Sequence, residues 1–427
     1  MRTIGYSAFV LGNGLRVVLH RNTAAPVVCI NIAYNVGSKD EAPGKTGFAH
    51  LFEHLMFDGS ANIPRGLFDR HCELAGGYNN AYTNEDKTNY YIVLPSNQLE
   101  LGLWLESDRL LQLLLTPEGL ETQRSVVMEE KRQRVDNQPY GTYDTKLSEL
   151  LFPGHPYGHP VIGSMDDIAS ASMEDVTAFH SAFYRPDNAA IVIAGDIDID
   201  ATAALVERWF GQIPAGGPPS RPAAPPLAPL GEVREVVRDV VPLPGVFIGY
   251  RVPPERERAF IAMDLLSDVL GNGESSRLHR ALVYDQQIAS QASVYVDPRQ
   301  HPGILVVYAL ANQGRSAEEL EHSIDTEIAK LLETPLPAAE LEKTRNRVEG
   351  FYFQNLLSLS SRADRLAHHT LFDNDPDLVN TLLSQYLDVG VAELRDTAEA
   401  WLRPGHRVVL HYLPDGNAPD GDDEAEE

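Results

Sequence analysis

Alternation and periodicity of apolar residues predict short strands separated by helices along the chain. In the first half, the strand patterns cover residues 9–11, 15–20, 27–34, 78–84, 88–94 and 188–197, and the helical patterns cover 64–74, 99–115, 117–132, 172–184 and 201–210. The first two strands flank Gly12-Asn13-Gly14, a turn typical of a hairpin. These elements predict a sheet covered by helices.

The second half repeats this order after residues 214–231, a segment rich in proline, glycine and alanine. Its strand patterns cover 233–241, 246–252, 289–297, 304–311 and 407–412, and its helical patterns cover 258–270, 317–332, 338–359 and 391–401. The recurrence predicts that one α+β unit has been duplicated. We therefore expect an N-terminal domain at 1–213, a linker at 214–231 and a homologous C-terminal domain at 232–413.

Length and charge narrow the possible functions. A chain of 427 residues is too long for one core of ordinary size, which agrees with two domains. The formal net charge of −26 argues against a nucleic-acid partner and against binding to anionic membrane surfaces. Part of this charge lies in residues 414–427, an acidic tail that we predict to be disordered.

Cysteine content and hydropathy predict a cytoplasmic location. Cys29 and Cys72 are the two cysteines of the sequence, too few for a disulfide framework and compatible with a reducing compartment. The first residues lack the apolar run of a signal peptide, and no stretch has the length of a membrane-spanning helix. We expect the cytoplasm and no membrane span.

The candidate chemistry begins at the sequence His50-Leu51-Phe52-Glu53-His54. On a helix, two histidines four residues apart project from the same face and can hold two tetrahedral positions of a zinc ion. Glu53 is close enough to act as general base on a water molecule at the metal while staying outside the ligand set. This order of residues is the inverzincin motif.

A zinc site of this kind needs a third protein ligand, usually a carboxylate. The helix predicted at 117–132 offers Glu118, Glu121, Glu129 and Glu130, and their chemistry alone does not choose among them. The other pair of histidines four residues apart, at 155 and 159, is interrupted by proline, so this spacing does not bring them to one helix face.

The sequence resembles the pitrilysin-type (inverzincin) zinc metallopeptidases, and in particular the bacterial subunits related to the mitochondrial processing peptidase. The resemblance covers nearly the whole chain and is carried by the segments 47–57, 80–83, 124–130, 188–196 and 275–278. It implies an α+β fold of two homologous domains, each a mostly antiparallel sheet covered by helices, which face each other across a cavity. It also implies one Zn²⁺ per chain.

The resemblance assigns further site residues. The family's third ligand lies about 76 residues after the second histidine, which is Glu130 here, with Glu129 as the neighbouring alternative. Seven residues before Glu130, where the family often has a glutamate that helps to orient the site, this chain has Gln123. Asn80 and Ala81 match the edge strand on which family members hold a peptide substrate by strand addition.

The second half departs from the family pattern. Active members carry an arginine and, seven residues later, a tyrosine that bind substrate and stabilise the oxyanion; alignment places Val283 and Ser290 there. We therefore expect this chain to be the zinc-bearing subunit of a heterodimer whose homologous partner supplies the arginine and tyrosine. The alternative is a homodimer in which Tyr284, Arg280 or another group substitutes.

Together these features predict a zinc-dependent endopeptidase. It would hydrolyse peptides or unfolded segments held in an enclosed cavity. His50, His54 and Glu130 would be the metal ligands, and Glu53 the catalytic base. The alternative is a non-catalytic structural or peptide-binding subunit with the same fold.

Overall fold

The computed structural model describes residues 3–221 and 224–415. Its strands are β1 Ser7–Val10, β2 Arg16–Arg21, β3 Val27–Tyr34, β4 Tyr78–Thr83, β5 Thr88–Pro95, β6 Ala189–Gly195, β7 Val233–Asp239, β8 Gly245–Val252, β9 Ala289–Asp297, β10 Gly303–Ala311 and β11 Arg407–Pro414.

The helices of the first half are α1 Phe48–Leu55, α2 Leu67–Leu74, α3 Leu99–Gln112, α4 Pro117–Lys131, α5 Tyr143–Leu151, α6 Met165–Ser170, α7 Met173–Phe183 and α8 Ile199–Phe210. Those of the second half are α9 Arg258–Gly271, α10 Ala317–Glu333, α11 Ala338–Asn355, α12 Leu359–His368, α13 Leu378–Asp388 and α14 Val391–Trp401. Short π-helical segments cover Arg132–Asp136, His279–Asp285 and His369–Asp373.

The chain forms two compact units, each assembled from discontinuous segments. The first unit comprises the described residues of Met1–Lys131, His159–Ala224 and Gly350–Leu383, and the second those of Arg132–Gly158, Pro225–Glu349 and Ser384–Glu427. Relative to the division predicted at 214–231, the units exchange two segments, 132–158 and 350–383. The predicted halves remain a proposal for the boundaries of the sequence repeat.

The first unit contains a six-stranded sheet in the order β1-β2-β6-β3-β5-β4. All neighbouring pairs are antiparallel except β2 and β6, and β4 lies at one edge. Alternate residues of β3 face opposite sides: Ile30 and Ile32 join the core that includes α1, while Cys29 and Ala33 pack with α12. The sheet is therefore covered on both faces.

The second unit contains a five-stranded sheet in the order β7-β11-β8-β10-β9. Its single parallel pair is β7 with β11, and its other pairs are antiparallel. The order and directions repeat those of β2-β6-β3-β5-β4, so β9 is the counterpart of β4. The α+β fold with two homologous, mostly antiparallel domains is confirmed.

The exchanged segments explain the main difference from the predicted helices. The single helix predicted at 338–359 ends at Asn355, and α12 begins after Ser358, whose hydroxyl accepts a hydrogen bond from Ser361 N and caps the new helix. In α12, Ala363, Leu366 and Ala367 are fully buried in the first unit. Helix α5 plays the reciprocal role, since Leu147 and Leu151 are buried in the core of the second unit.

Two further predictions concern the C-terminal tail and membrane-spanning helices. From residue 416 onward, the predicted acidic tail lies outside the described residues. Within the described ranges, we find no helix with both the length and the apolar character needed to cross a membrane.

Candidate metal centre

Helix α1 carries the histidine motif because its apolar positions anchor it in the core. Leu51, Phe52 and Leu55 are nearly fully buried. Gly47 precedes the helix with φ +90°, a left-handed conformation that glycine adopts without strain, and a Cβ there would meet the carbonyl oxygen of Ile162 at 2.7 Å. The motif histidines are left on the less buried face of the helix.

The N-terminus of α1 is held by a buried carboxylate that sequence reasoning missed. Glu41 Oε2 accepts a hydrogen bond from Gly47 N at 2.9 Å, and Oε1 accepts one from Ala49 N at 2.7 Å. These are N–H groups that the helix itself leaves without partners. Burial raises the pKa of Glu41, and the two backbone hydrogen bonds oppose that shift. His159 Nδ1 lies 3.6 Å from Oε2. Glu41 thus fixes the backbone beside the first histidine.

His50, His54 and Glu130 converge at one point. His50 Nε2 lies 3.6 Å and His54 Nε2 3.3 Å from Glu130 Oε2, and the two imidazole rings are 4.9 Å apart. On a tetrahedron with bonds of roughly 2.0–2.2 Å, two ligand atoms lie about 3.3–3.6 Å apart. The two distances to Glu130 Oε2 therefore agree with this spacing, and the three potential ligand atoms all lie within 4.8 Å of one another.

The side chains of the cluster are also partly exposed, as those of an open metal site are. The three side chains retain 13%, 24% and 16% of their accessible surface for His50, His54 and Glu130. Water can therefore reach the cluster, as a fourth coordination position for solvent or substrate requires. Glu129, the neighbouring alternative on α4, is exposed, because one residue rotates a helical side chain by about 100°.

Glu53 lies beside the cluster and is held by the sheet. Thr83 Oγ1, at the end of β4, donates a hydrogen bond of 2.6 Å to Glu53 Oε2. The hydroxyl therefore fixes a carboxylate that lies between the two histidines in sequence and is separate from the ligand set. This contact was not anticipated from the sequence, although Thr83 belongs to a segment that carries the family resemblance.

Gln123 connects the two helices that carry the cluster. Its Nε2 donates to Asp58 Oδ1 at 3.1 Å, and Asp58 follows the end of α1. Arg65 Nε lies 2.9 Å from the same carboxylate. The amide therefore joins α4 to the segment after α1.

Asn80 and Ala81 lie on the exposed edge of the first sheet, since β4 has β5 on one side only. Asn80 Oδ1 accepts a hydrogen bond from Ala81 N at 2.9 Å. This backbone donor is therefore turned toward the open edge and capped by a side chain, an arrangement that shields an edge strand from unwanted pairing.

The positions of the expected arginine and tyrosine lie in the second unit. Val283 is in the π-helical segment His279–Asp285, and Ser290 is in β9, where its hydroxyl lies 3.3 Å from Leu310 O. Of the possible substitutes, Tyr284 is 76% exposed, and Arg280 pairs loosely with Asp285 at 3.8 Å.

A second group with ligand chemistry was missed by sequence reasoning. His368, His369 and Asp373 bring one potential ligand atom each into proximity, and His369 Nδ1 lies 2.9 Å from Asp373 Oδ2. Two adjacent histidines do not have the spacing that places side chains on one helix face, so the sequence pattern did not indicate this group. The histidine–aspartate hydrogen bond accounts for this contact without a metal.

Two family models match the chain. The model described as "Insulinase (Peptidase family M16)" matches residues 16–164, and the one described as "Peptidase M16 inactive domain" matches residues 170–348. Together the two matches cover most of the chain.

Individual relatives extend this similarity. The chain is 32% identical over 415 residues to zinc protease PqqE of Helicobacter pylori, covering 96% of this chain and 93% of the relative. It is 25% identical over 334 residues to the beta subunit of the mitochondrial-processing peptidase of Blastocladiella emersonii, and this match covers 76% of this chain and 71% of the relative. A solved protease structure from Helicobacter pylori matches with a TM-score of 0.91 at 31% identity, and this match covers 96% of this chain and 100% of that structure's chain.

Proposed function

This chain belongs to the M16 peptidase family, as its sequence resemblance predicted, and we propose that it is a zinc-dependent endopeptidase. The observation that carries the proposal is the convergence of His50 Nε2 and His54 Nε2 on Glu130 Oε2, with Glu53 beside them. His50, His54 and Glu130 would hold one zinc ion per chain. Zinc bound there would supply Lewis-acid activation of water and of the scissile carbonyl.

Glu53 performs the proton transfers in this proposal. Its carboxylate takes a proton from the attacking water and delivers it to the amine that leaves when the peptide bond breaks. Asn80 and Ala81 orient the substrate, because the open edge of β4 offers backbone groups to an extended peptide. Peptides and unfolded segments are the substrate class, since folded chains rarely expose a free extended strand.

The proposal is tested with Glu53→Gln, which keeps the size of the side chain but removes the base. We expect kcat for an unstructured peptide to fall by about 10²–10⁴-fold. Zinc content, measured by atomic absorption, should remain equal to that of the wild type. Hydrolysis at the wild-type rate by this variant would contradict the mechanism.

We further propose that a homologous subunit completes the enzyme, because Val283 and Ser290 have neither the charge of arginine nor the phenol of tyrosine. Activity of the chain purified alone, compared with activity after co-expression with its homologous neighbour, tests this. Full activity of the isolated chain would rule out the split enzyme.

The second candidate function is a non-catalytic structural or peptide-binding subunit, and the same two residues favour it. Zinc binding without hydrolysis, both alone and with the partner, would support it. We place either form in the cytoplasm, a proposal supported by the free and buried state of Cys29 and Cys72.

A further inference from the structure

We propose that Thr83 is a positioning residue that holds the Glu53 carboxylate and links the peptide-binding strand to the general base. The inference rests on the proposed function and adds a residue to it. Its starting point is the hydrogen bond of 2.6 Å from Thr83 Oγ1 to Glu53 Oε2.

The pleat of the sheet determines which side chains of β4 reach α1. Ala81 pairs with Tyr90 and Thr83 pairs with Thr88, so these residues share one face. Tyr90 is buried in the core that includes α1, and Ala81 packs against that core. Thr83 continues this face to the end of the strand, where it contacts Glu53.

The hydrogen bond has the length expected for a hydroxyl that donates to an ionised carboxylate. A glutamate side chain has several rotatable bonds, and a single fixed donor removes much of that freedom. An ionised carboxylate accepts about four hydrogen bonds, so the bond from Thr83 leaves acceptor positions for the proton of a water molecule. Thr83 therefore orients the base without preventing its action.

The segment that carries Thr83 is itself anchored. On the opposite face of the strand, Tyr82 Oη donates to Asp364 Oδ1 at 2.5 Å, and Lys87 Nζ donates to the same oxygen at 3.0 Å. Thr88 Oγ1 donates to Val36 O at 2.9 Å. The turn between β4 and β5 is thus fixed at both ends, which fixes the Thr83 hydroxyl relative to the sheet.

Substrate binding would act on the same strand. A peptide added to the edge would take the Ala81 N–H from the Asn80 side chain, two residues before Thr83. A strand paired on both sides is more rigid than an edge strand, so occupancy of the edge would further restrict Thr83. The base would then be best oriented when substrate is present.

The test compares Thr83→Val, which removes the hydroxyl at nearly constant size, with Thr83→Ser, which keeps it. We expect Thr83→Val to lower kcat by roughly 10- to 100-fold because a misplaced base loses its near-attack geometry. KM and zinc content should stay within about twofold of the wild type, since ground-state binding is untouched. Thr83→Ser should restore kcat to within about threefold of the wild type.

Thr177→Val is the matched control. Thr177 lies exposed on α7, where its hydroxyl donates a hydrogen bond to Met173 O of the same helix. It should leave kcat unchanged. A Thr83→Val enzyme with wild-type kcat would overturn the inference while leaving the peptidase proposal intact, and so would failure of Thr83→Ser to rescue. A wild type that is inactive both alone and with its homologous partner would instead refute the proposed function.

A measurement without catalysis separates these cases. In the zinc-free full-length protein, the Tm shifts of Thr83→Val and Glu53→Ala should not add in the double variant, because both remove the same hydrogen bond. Additive shifts would show that the bond is absent in solution, and the inference would fail whatever the activity.

Discussion

The two units place different chemistry on corresponding helices. Helix α1 follows β3 in the first unit, and α9 follows β8, the matching strand of the second. At the spacing of His50, Glu53 and His54, α9 carries Asp264, Ser267 and Asp268. The same scaffold therefore presents two sets of three polar residues, and of these two sets only the first contributes, among the described residues, to a group of converging potential metal ligands.

The partners of these polar groups explain the difference. Tyr386 Oη donates to Asp264 Oδ2 at 2.8 Å, Asn272 Nδ2 donates to Asp268 Oδ1 at 2.8 Å, and Arg347 Nε lies 3.5 Å from the same oxygen. Burial raises the pKa of both aspartates. In α9 the two carboxylates bind other protein groups, whereas in α1 the two histidines converge with Glu130. The family model that covers α9 is the one described as "Peptidase M16 inactive domain".

The largest expected effect comes from removing the carboxylate that completes the cluster. Glu130→Ala should lose bound zinc and at least about 10²-fold in kcat, because two histidines from one helix leave a zinc site with too few protein ligands. Zinc stoichiometry after gel filtration and peptide hydrolysis provide the measurements.

Two controls sharpen this contrast. Glu129→Ala removes the exposed neighbour on α4, and Asp268→Asn changes the corresponding helix of the second unit. Both should keep full zinc content. Loss of zinc from Glu129→Ala and not from Glu130→Ala would mean that the ligand is one residue away.

The next effect concerns stability in acid and belongs to the second unit. Burial would raise the pKa of Glu321, but hydrogen bonds from His411 and Arg234 and the charge of Arg407 lower it to about 2, from the usual 4.5. A depressed folded-state pKa stabilises the fold above pH 4.5, and this contribution is lost as the pH falls toward 2. The full contribution is about 3 kcal/mol.

Urea unfolding of zinc-free protein between pH 6 and pH 2.5 measures this loss. Glu321→Gln should be less stable than the wild type at pH 6, and the difference between the two should shrink as the pH falls. A constant difference across that range would show that the Glu321 carboxylate has no special pairing. Because Glu321 and its partners stabilise the fold and do not belong to the metal cluster, the zinc content of Glu321→Gln at pH 6 should equal that of the wild type.

The smallest expected effect is that of the carboxylate that caps α1. Glu41→Gln replaces one acceptor with a donor that opposes a backbone N–H, so the first turn and His50 lose their fixed position. We expect zinc affinity to fall about 10- to 100-fold, equivalent to about 1.4–2.7 kcal/mol. Competition with a chromophoric chelator measures it.

Glu118→Gln is the matched control for this change, since Glu118 lies on α4 with 88% of its side chain exposed. Its zinc affinity should equal that of the wild type. Unchanged affinity in Glu41→Gln would mean that α1 holds its histidines without the cap.

The sequence was most informative where chemistry follows from local spacing. His50 and His54 share a face because of the helical repeat alone. Glu130 required the family resemblance, because four glutamates on one helix are chemically equivalent until a partner selects one. The structure brings Glu130, and not exposed Glu129, to the histidines.

Long-range contacts could not be predicted in this way. Glu41 lies in a segment without periodicity, and its role depends on where the chain returns to the start of α1. Likewise, nothing in the apolar pattern of α12 specifies that Ala363 and Leu366 belong to the sheet of the first half. Local patterns predicted the elements, and the packing partners of these two regions required the structure.

The exchange of segments between the units has a consequence for how the protein is made. The strands of the first sheet leave the ribosome long before α12 does. One face of that sheet therefore stays uncovered until the last fifth of the chain has been synthesised. A gene fragment ending in the linker would lack this cover and leave Val18, Cys29 and Val192 exposed to water. Two separately expressed halves would have to fold together, each supplying a helix to the other's sheet. Each half of the chain therefore depends on the other for part of the cover of its sheet.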